Sequence, residues 1–232
     1  GFNCGSTLQM HTASKGALAA QVAMNTTLSA ATGGLTVFLL RFLITKRYDV
    51  CGLCNGILAG LVSITAGCGN MDSGFAILTG LIGGIVMQGS SMLQQKLKID
   101  DPVDASSVHG ACGMWGLLAA SFFDWGQSYN TYHGWSGFDC MADADGNCLK
   151  GIGGQAIGAQ FAMIGMIIVW AGGLSTITFF ALRMTGLLRV DEGTEDMGMD
   201  AAHHSPSKAY SADMSSPSPR VSQTETGQGA QI

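Results

Sequence analysis

The sequence predicts an all-α fold, a polytopic bundle of membrane-spanning helices, on three observations. Charged residues make up 12% of the chain, half the roughly 25% of a soluble domain. Apolar runs free of Asp, Glu, Lys and Arg recur, several of them near the ~20 residues a helix needs to cross a bilayer. Small residues repeat at four-residue spacing, as Gly52, Gly56 and Gly60, Gly80 and Gly84, and Gly154, Gly158 and Ala162. Helices in lipid associate by close backbone approach, so such patterns mark packed faces.

In order along the chain, residues 1–10 read as the end of a span. The segment GFNCGS is helix-like but has no cap and no charged leader before it, which predicts that residues precede Gly1. His11 to Lys15 is a short polar connection. Five spans are expected within residues 11–189, at about 17–40, 51–67, 74–95, 103–123 and 153–182. Arg41 ends the first, and Lys46, Arg47 and Asp49 form a basic loop after it. Cys68 to Asp72 turns the chain between the second and third, and Lys96 and Lys98 follow the third. A polar loop covers 124–150, and Arg183 and Arg189 close the last span. Residues 190–232 form a tail that opens acidic, with Asp191, Glu192, Glu195 and Asp196, and becomes rich in Ser, Pro, Gln and Gly. Disorder is expected over 211–232.

Alternation of five spans puts 41–47, 96–98 and 183–189 on one side, and these are the basic segments. Short cytoplasmic loops are enriched in Lys and Arg, so that side reads as the cytoplasm, with the C-terminus inside a multi-pass membrane protein. The loop 124–150 is then extracellular. Cys140 and Cys148 in it are a candidate disulfide, since oxidation is open to them there and the sequence leaves their pairing undecided. Trp125, Tyr129, Tyr132 and Trp135 read as interfacial aromatics. Cys51 and Cys54 form a CxxC with no second Cys/His pair, and small buried thiols explain them better than a metal or redox site.

The stretch DDPVDASSVHGACGMWGLLAASFF carries the chemistry. Asp101 reads as an N-cap, Pro102 as the first helical residue and Asp104 as a negative charge in the first turn. From Ala105 to Phe123 the only ionisable side chain besides thiol is His109. Ala105, Ser106, Cys112, Gly113 and Gly116 share its helical face and leave room beside the imidazole. An intramembrane ionisable residue is a functional hypothesis by default; the competing reading is a histidine that hydrogen-bonds a neighbouring helix and serves packing. One imidazole in an apolar setting suits proton sharing or ligand hydrogen bonding. No Walker loop, dinucleotide fingerprint or HExxH occurs, His203 and His204 are adjacent and point apart, and no intramembrane nucleophile pair exists. The sequence therefore predicts neither an enzyme nor a metal or cofactor site, and no basic patch suggests nucleic acid.

These motifs resemble one family. DDPVDASSVHGACGMWG is similar to the DDPxDxxxVHGxxGxxG signature of the ammonium transporter family (Amt/Mep, distantly Rh), GFNCGS to its WxGFNxGS motif, and NGILAGLVSITAGCG to the pattern of the span that follows. GLLRV and GMDAAHH resemble the family's cytoplasmic tail. The resemblance implies homotrimers of eleven-span, inverted-repeat subunits, each with its own hydrophobic pore, of which this chain holds the end of the sixth span and spans seven to eleven.

By the same resemblance, Phe2 falls on an aromatic gate above the pore and Ser6 on a hydroxyl that receives the ammonium ion. On residue type alone, a lipid-facing or core place is favoured for Phe2, and the competing reading of Ser6 is a helix–helix hydrogen bond. His109 falls on one of two facing pore histidines. The implied activity is recruitment of NH4+, its deprotonation and conduction of NH3, with or without a separate proton; methylammonium is a further candidate substrate. The alternatives are an ammonium sensor and a non-conducting structural subunit. Gly198, Asp200, His204 and Tyr210 match a regulatory tail motif, open to a cytoplasmic regulator or kinase. The match departs from the pattern at Ser205 and Pro206, at Tyr210, which comes one place late, and at Ala202, where many plant members carry threonine.

Overall fold

The computed structural model describes residues 1–123, 125–128, 131–136, 140–142, 148–151 and 155–199, with side chains over 1–123, 157–196 and 198–199. The chain divides into two compact units, Gly1–Trp170 and Ala171–Ile232. In the first, a short α1 (Phe2–Gly5) leads into α2 (Ala13–Thr45), followed by α3 (Val50–Ile64) and α4 (Ser73–Lys96). A π-helical turn over Ser106–Ala111 then runs directly into α5 (Cys112–Phe123). Helix α6 (Gln155–Met184) begins in the first unit and ends in the second, where α7 (Glu192–Met197) follows. Helices α2, α4 and α6 are long and apolar enough to cross a membrane, and α3 is a shorter apolar helix.

Between α5 and α6 lies a four-stranded antiparallel meander in the order β1 (Trp125–Ser128), β2 (Thr131–Ser136), β3 (Cys140–Ala142), β4 (Cys148–Gly151). It adds a small sheet to an otherwise helical fold. Its register pairs Cys140 with Gly151 and Ala142 with Cys148, so the two cysteines are not opposite one another. Their side chains, and that of Tyr129, lie outside the described residues.

The ends of α2 follow from local chemistry. Thr12 accepts the Lys15 amide as a side-chain cap. At the other end Lys46 adopts a left-handed backbone and donates its amide to the Phe42 carbonyl. Tyr48 folds back over that end, its ring 5.0 Å from Phe42 and 5.9 Å from Phe38. Asp49 then caps α3 by accepting the Gly52 amide at 2.8 Å. At 33 residues and ~1.5 Å per residue, α2 exceeds the ~30 Å of hydrocarbon in a bilayer.

Helices α2, α3 and α4 pack through glycine. A Cβ on Gly33 would lie 2.6 Å from the Gly56 carbonyl oxygen, and one on Gly56 2.7 Å from that of Gly33. Cβ atoms on Gly60 and Gly80 would both collide with the Ser29 carbonyl. Dispersion falls steeply with separation, and lipid tails are as apolar as any side chain, so backbone approach is where these helices gain. Two apolar clusters complete the core: Val22, Ile64, Cys68, Met71 and Ala76 toward one end, and Val37, Ala59, Met87, Val108 and Cys112 toward the other. Asn25, fully buried, donates to the carbonyls of Cys68 (2.9 Å) and Met71 (2.8 Å) and accepts from the Ser73 hydroxyl (3.0 Å). One amide thus satisfies the turn between α3 and α4.

In the second unit, Asp191 caps α7 through the Thr194 amide at 2.9 Å, and Arg189 pairs with Glu195 on the surface. Gly198 ends α7 with φ +88°, a backbone that suits glycine.

Candidate functional site

The DDPVD segment folds into a turn before any helix begins. The Asp104 amide donates to the Asp101 carbonyl at 3.1 Å, which places Pro102 at the second position of a β-turn, where its fixed φ is suited. The helix starts at Ala105. Asp101 still works as its cap, accepting the amides of Ala105 and Ser106 at 2.8 Å each and the Ser106 hydroxyl at 2.8 Å. The Ser106 hydroxyl above all, with these amides, holds the Asp101 carboxyl below its ordinary range. Two expectations are corrected here: Pro102 is not the first helical residue, and Asp104 is not in the first helical turn.

Asp104 has a left-handed backbone, φ +57°, which costs a non-glycine residue ~1 kcal/mol. Its carboxylate is held from three elements. Arg41 of α2 reaches it at 2.8 Å, Ser91 of α4 donates at 2.6 Å and Asn55 of α3 at 3.4 Å. The same guanidinium pairs with Asp49 at 2.8 Å and donates through Nε to Gln88 at 3.0 Å. Arg41, first of all, and then the Gly52 amide hold the Asp49 carboxyl below its ordinary range. The residue that the sequence offered only as the end of a span is therefore the centre of the polar cluster. An arginine just past an apolar run, a few residues before a basic loop, gives no sequence signal for that role.

A second polar ladder fixes the next turn. Gln94 of α4 donates to Ser107 at 2.7 Å and accepts from Ser106 at 2.8 Å, and Ser107 donates to Ser90 at 3.1 Å. Ser107 and Val108 are buried between α3 and α4, while His109 on the same turn faces away from them and is exposed. Among the described residues no hydrogen bond to the imidazole is recorded.

His109 borders a largely apolar gap of about 330 Å³, whose other lining residues include Gly113, Met114, Leu117, Ile164 and Ile168. Of the five small residues expected on the face of His109, only Gly113 lines this gap. Cys112 and Gly116 turn inward against the core; a Cβ on Gly116 would meet the Ser63 carbonyl oxygen at 2.7 Å. The reason is the π turn, which inserts one residue relative to an α-helix and rotates the helix beyond it by ~100°. Trp115 then pins α5, donating its indole proton to the Thr79 carbonyl at 3.0 Å and meeting Phe123 edge-on at 6.3 Å, while Phe123 stacks on Phe75 at 5.0 Å.

Phe2 and Ser6 do not line this gap. Phe2 is 89% exposed on α1, and the Ser6 hydroxyl donates to the Phe2 carbonyl at 2.9 Å. Helix α1 is tied to α2 by Asn3, which donates to Thr26 at 3.2 Å. Gly198 closes α7, while Asp200, His204 and Tyr210 lie outside the described residues. Among the described residues no cluster of His, Cys, Asp or Glu could hold a metal ion.

Comparison with known proteins puts this geometry in context. The model of the Ammonium Transporter Family matches residues 1–210. Ammonium transporter 3 of Dictyostelium discoideum is 37% identical over 209 residues, which is 88% of this chain and 46% of the relative. Ammonium transporter 1 member 1 of Arabidopsis thaliana is 33% identical over 184 residues, 79% of this chain and 36% of the relative. Among solved structures, Mep2 of Saccharomyces cerevisiae superposes with a TM-score of 0.61 at 28% identity, over 81% of this chain and 42% of the other. The chain thus spans less than half the length of these proteins.

Proposed function

We propose, because this chain belongs to the ammonium transporter family, that the protein of which it is part moves ammonium across the plasma membrane, with the C-terminus on the cytoplasmic side. The family is one of transporters and not of enzymes. In this reading the described apolar helices cross the bilayer, subunits assemble as homotrimers, and His109 stands in the conduction path of each. The observation that carries it is the position of His109: an imidazole on a π turn, exposed to an apolar gap and recorded with no protein hydrogen bond among the described residues. A packing histidine would be expected to spend its ring nitrogens on neighbours.

The mechanism rests on physical chemistry. NH4+ is received at the outer mouth by cation–π contact with Phe2 and by the Ser6 hydroxyl. Moving the ion toward an apolar passage lowers its pKa, because low dielectric disfavours charge. Once the proton has left, NH3 needs little desolvation and passes His109, whose imidazole offers a donor or an acceptor. Potassium has no proton to shed, so an apolar passage excludes it. The tail, with Gly198, Asp200, His204 and Tyr210, is assigned to regulation by a cytoplasmic partner or kinase.

Growth of cells lacking ammonium transport, on limiting ammonium, tests this with the full-length protein. Rescue by the wild type and loss with His109→Ala, at equal surface expression, is the expected result. Retained wild-type rescue by His109→Ala removes the imidazole from the mechanism.

A further inference from the structure

The polar cluster around Arg41 is more elaborate than a helix end requires. Its guanidinium, on a side chain only 17% exposed, is divided among Asp49, Asp104 and Gln88, which belong to three different segments. A planar fork of this kind fixes direction as well as charge. One prong holds Asp104 in its left-handed backbone, and the Asp104 carbonyl accepts the Val108 amide at 2.9 Å, setting where the helical ladder before His109 begins. Released from Arg41, Asp104 would lower its backbone energy by returning to the right-handed region. The ladder would then start elsewhere, and relaxation of the π turn by one residue would rotate His109 by ~100°.

We propose that Arg41 is a positioning residue for His109: acting through Asp104, it fixes the start and pitch of the π-helical turn and so the place of the imidazole beside the gap. The inference rests on the transport reading for its consequence, but its geometry stands without it. Ser91 and Asn55 support the same carboxylate, so they share the role to a lesser degree.

Two measurements on the full-length protein test it. The first is methylammonium uptake per surface transporter. Arg41→Met is expected to lower the maximal rate, by up to about a hundredfold as misplacement of a reacting group by ~1 Å can, with half-saturation unchanged because the outer mouth is untouched. Arg41→Lys should restore part of the rate. A rate loss that follows surface protein alone, or wild-type rates in Arg41→Met, overturns the proposal. Should Arg41→Met fail to reach the surface, Arg41→Lys and Ser91→Ala are read on the same scale, and wild-type rates in both overturn it. The second measurement needs no transport: His109→Cys is labelled with a small methanethiosulfonate reagent, above the background of the His109 protein. A labelling rate changed by Arg41→Lys supports the positioning role, and an unchanged one counts against it. A wild type that takes up nothing would instead sink the transport reading, leaving the labelling result to decide the role of Arg41.

Discussion

Ser29 on α2 and Gly60 on α3 meet backbone to backbone: the Ser29 hydroxyl donates to the Gly60 carbonyl at 2.8 Å, and no Cβ fits between Gly60 and the Ser29 carbonyl. This contact sets the spacing on which α2, α3 and α4 depend, because Gly80 approaches the same carbonyl from α4.

Gly60→Ala is therefore expected to destabilise the bundle by about 1–3 kcal/mol, the usual cost of overpacking. Thermal unfolding of the purified protein in detergent checks it. Gly89→Ala, where a Cβ meets nothing within 4 Å, should be neutral or slightly stabilising, since alanine is the better helix former. Equal effects at the two sites would remove close approach as the explanation.

Asn25→Ala should be as damaging by a different route. It strands the carbonyls of Cys68 and Met71, apart from the Gln21 bond to Met71 at 3.3 Å, and leaves the Ser73 hydroxyl without this acceptor. The expected loss is about 1–3 kcal/mol, read as a fall in melting temperature. An unchanged melting temperature would show that water replaces the amide.

Acid should loosen the end of the bundle that holds Arg41. Asp49 and Asp101 both have folded-state pKa values below their unfolded ones, the first mainly through Arg41 and the second mainly through the Ser106 hydroxyl. Such groups contribute their full stability above the unfolded value, ~3.9, and lose it as pH falls through the folded one. Melting temperature followed downward from pH 5 should drop more steeply in the wild type than in Asp101→Asn. Parallel curves would show that the Asp101 cap contributes nothing.

Deletion of residues 190–232 should change ammonium flux at equal surface expression if the tail regulates transport. Helix α7, capped by Asp191 and tied by Arg189 to Glu195, would be lost with it. Flux identical to the full-length protein would assign the tail no regulatory part.

How far the sequence could be read depended on the range of the interaction involved. The apolar runs and the four-spaced glycines of α3 and α4 are local patterns, and they pointed to a helical membrane bundle and to its tight faces; the same spacing at Gly158 marks none, since a Cβ there meets nothing within 4 Å. Asp101 was legible as a cap because a cap is set within a few residues. Pro102 and Asp104 were misplaced because a proline after an aspartate serves a β-turn as readily as a helix start. Nothing local distinguishes the two; the ion pair from Arg41, 63 residues away, selects the turn.

By itself, then, the sequence determined the class of fold, the family resemblance and His109 as the candidate functional side chain, since composition, period and motif are all written along the chain. The π turn that aims His109, the inward rotation of Cys112 and Gly116, and the central place of Arg41 and Asn25 were decided only in the tertiary structure. Each arises where a buried polar group must find its partner across helices, and a one-residue change of pitch there costs little locally yet redirects every side chain beyond it.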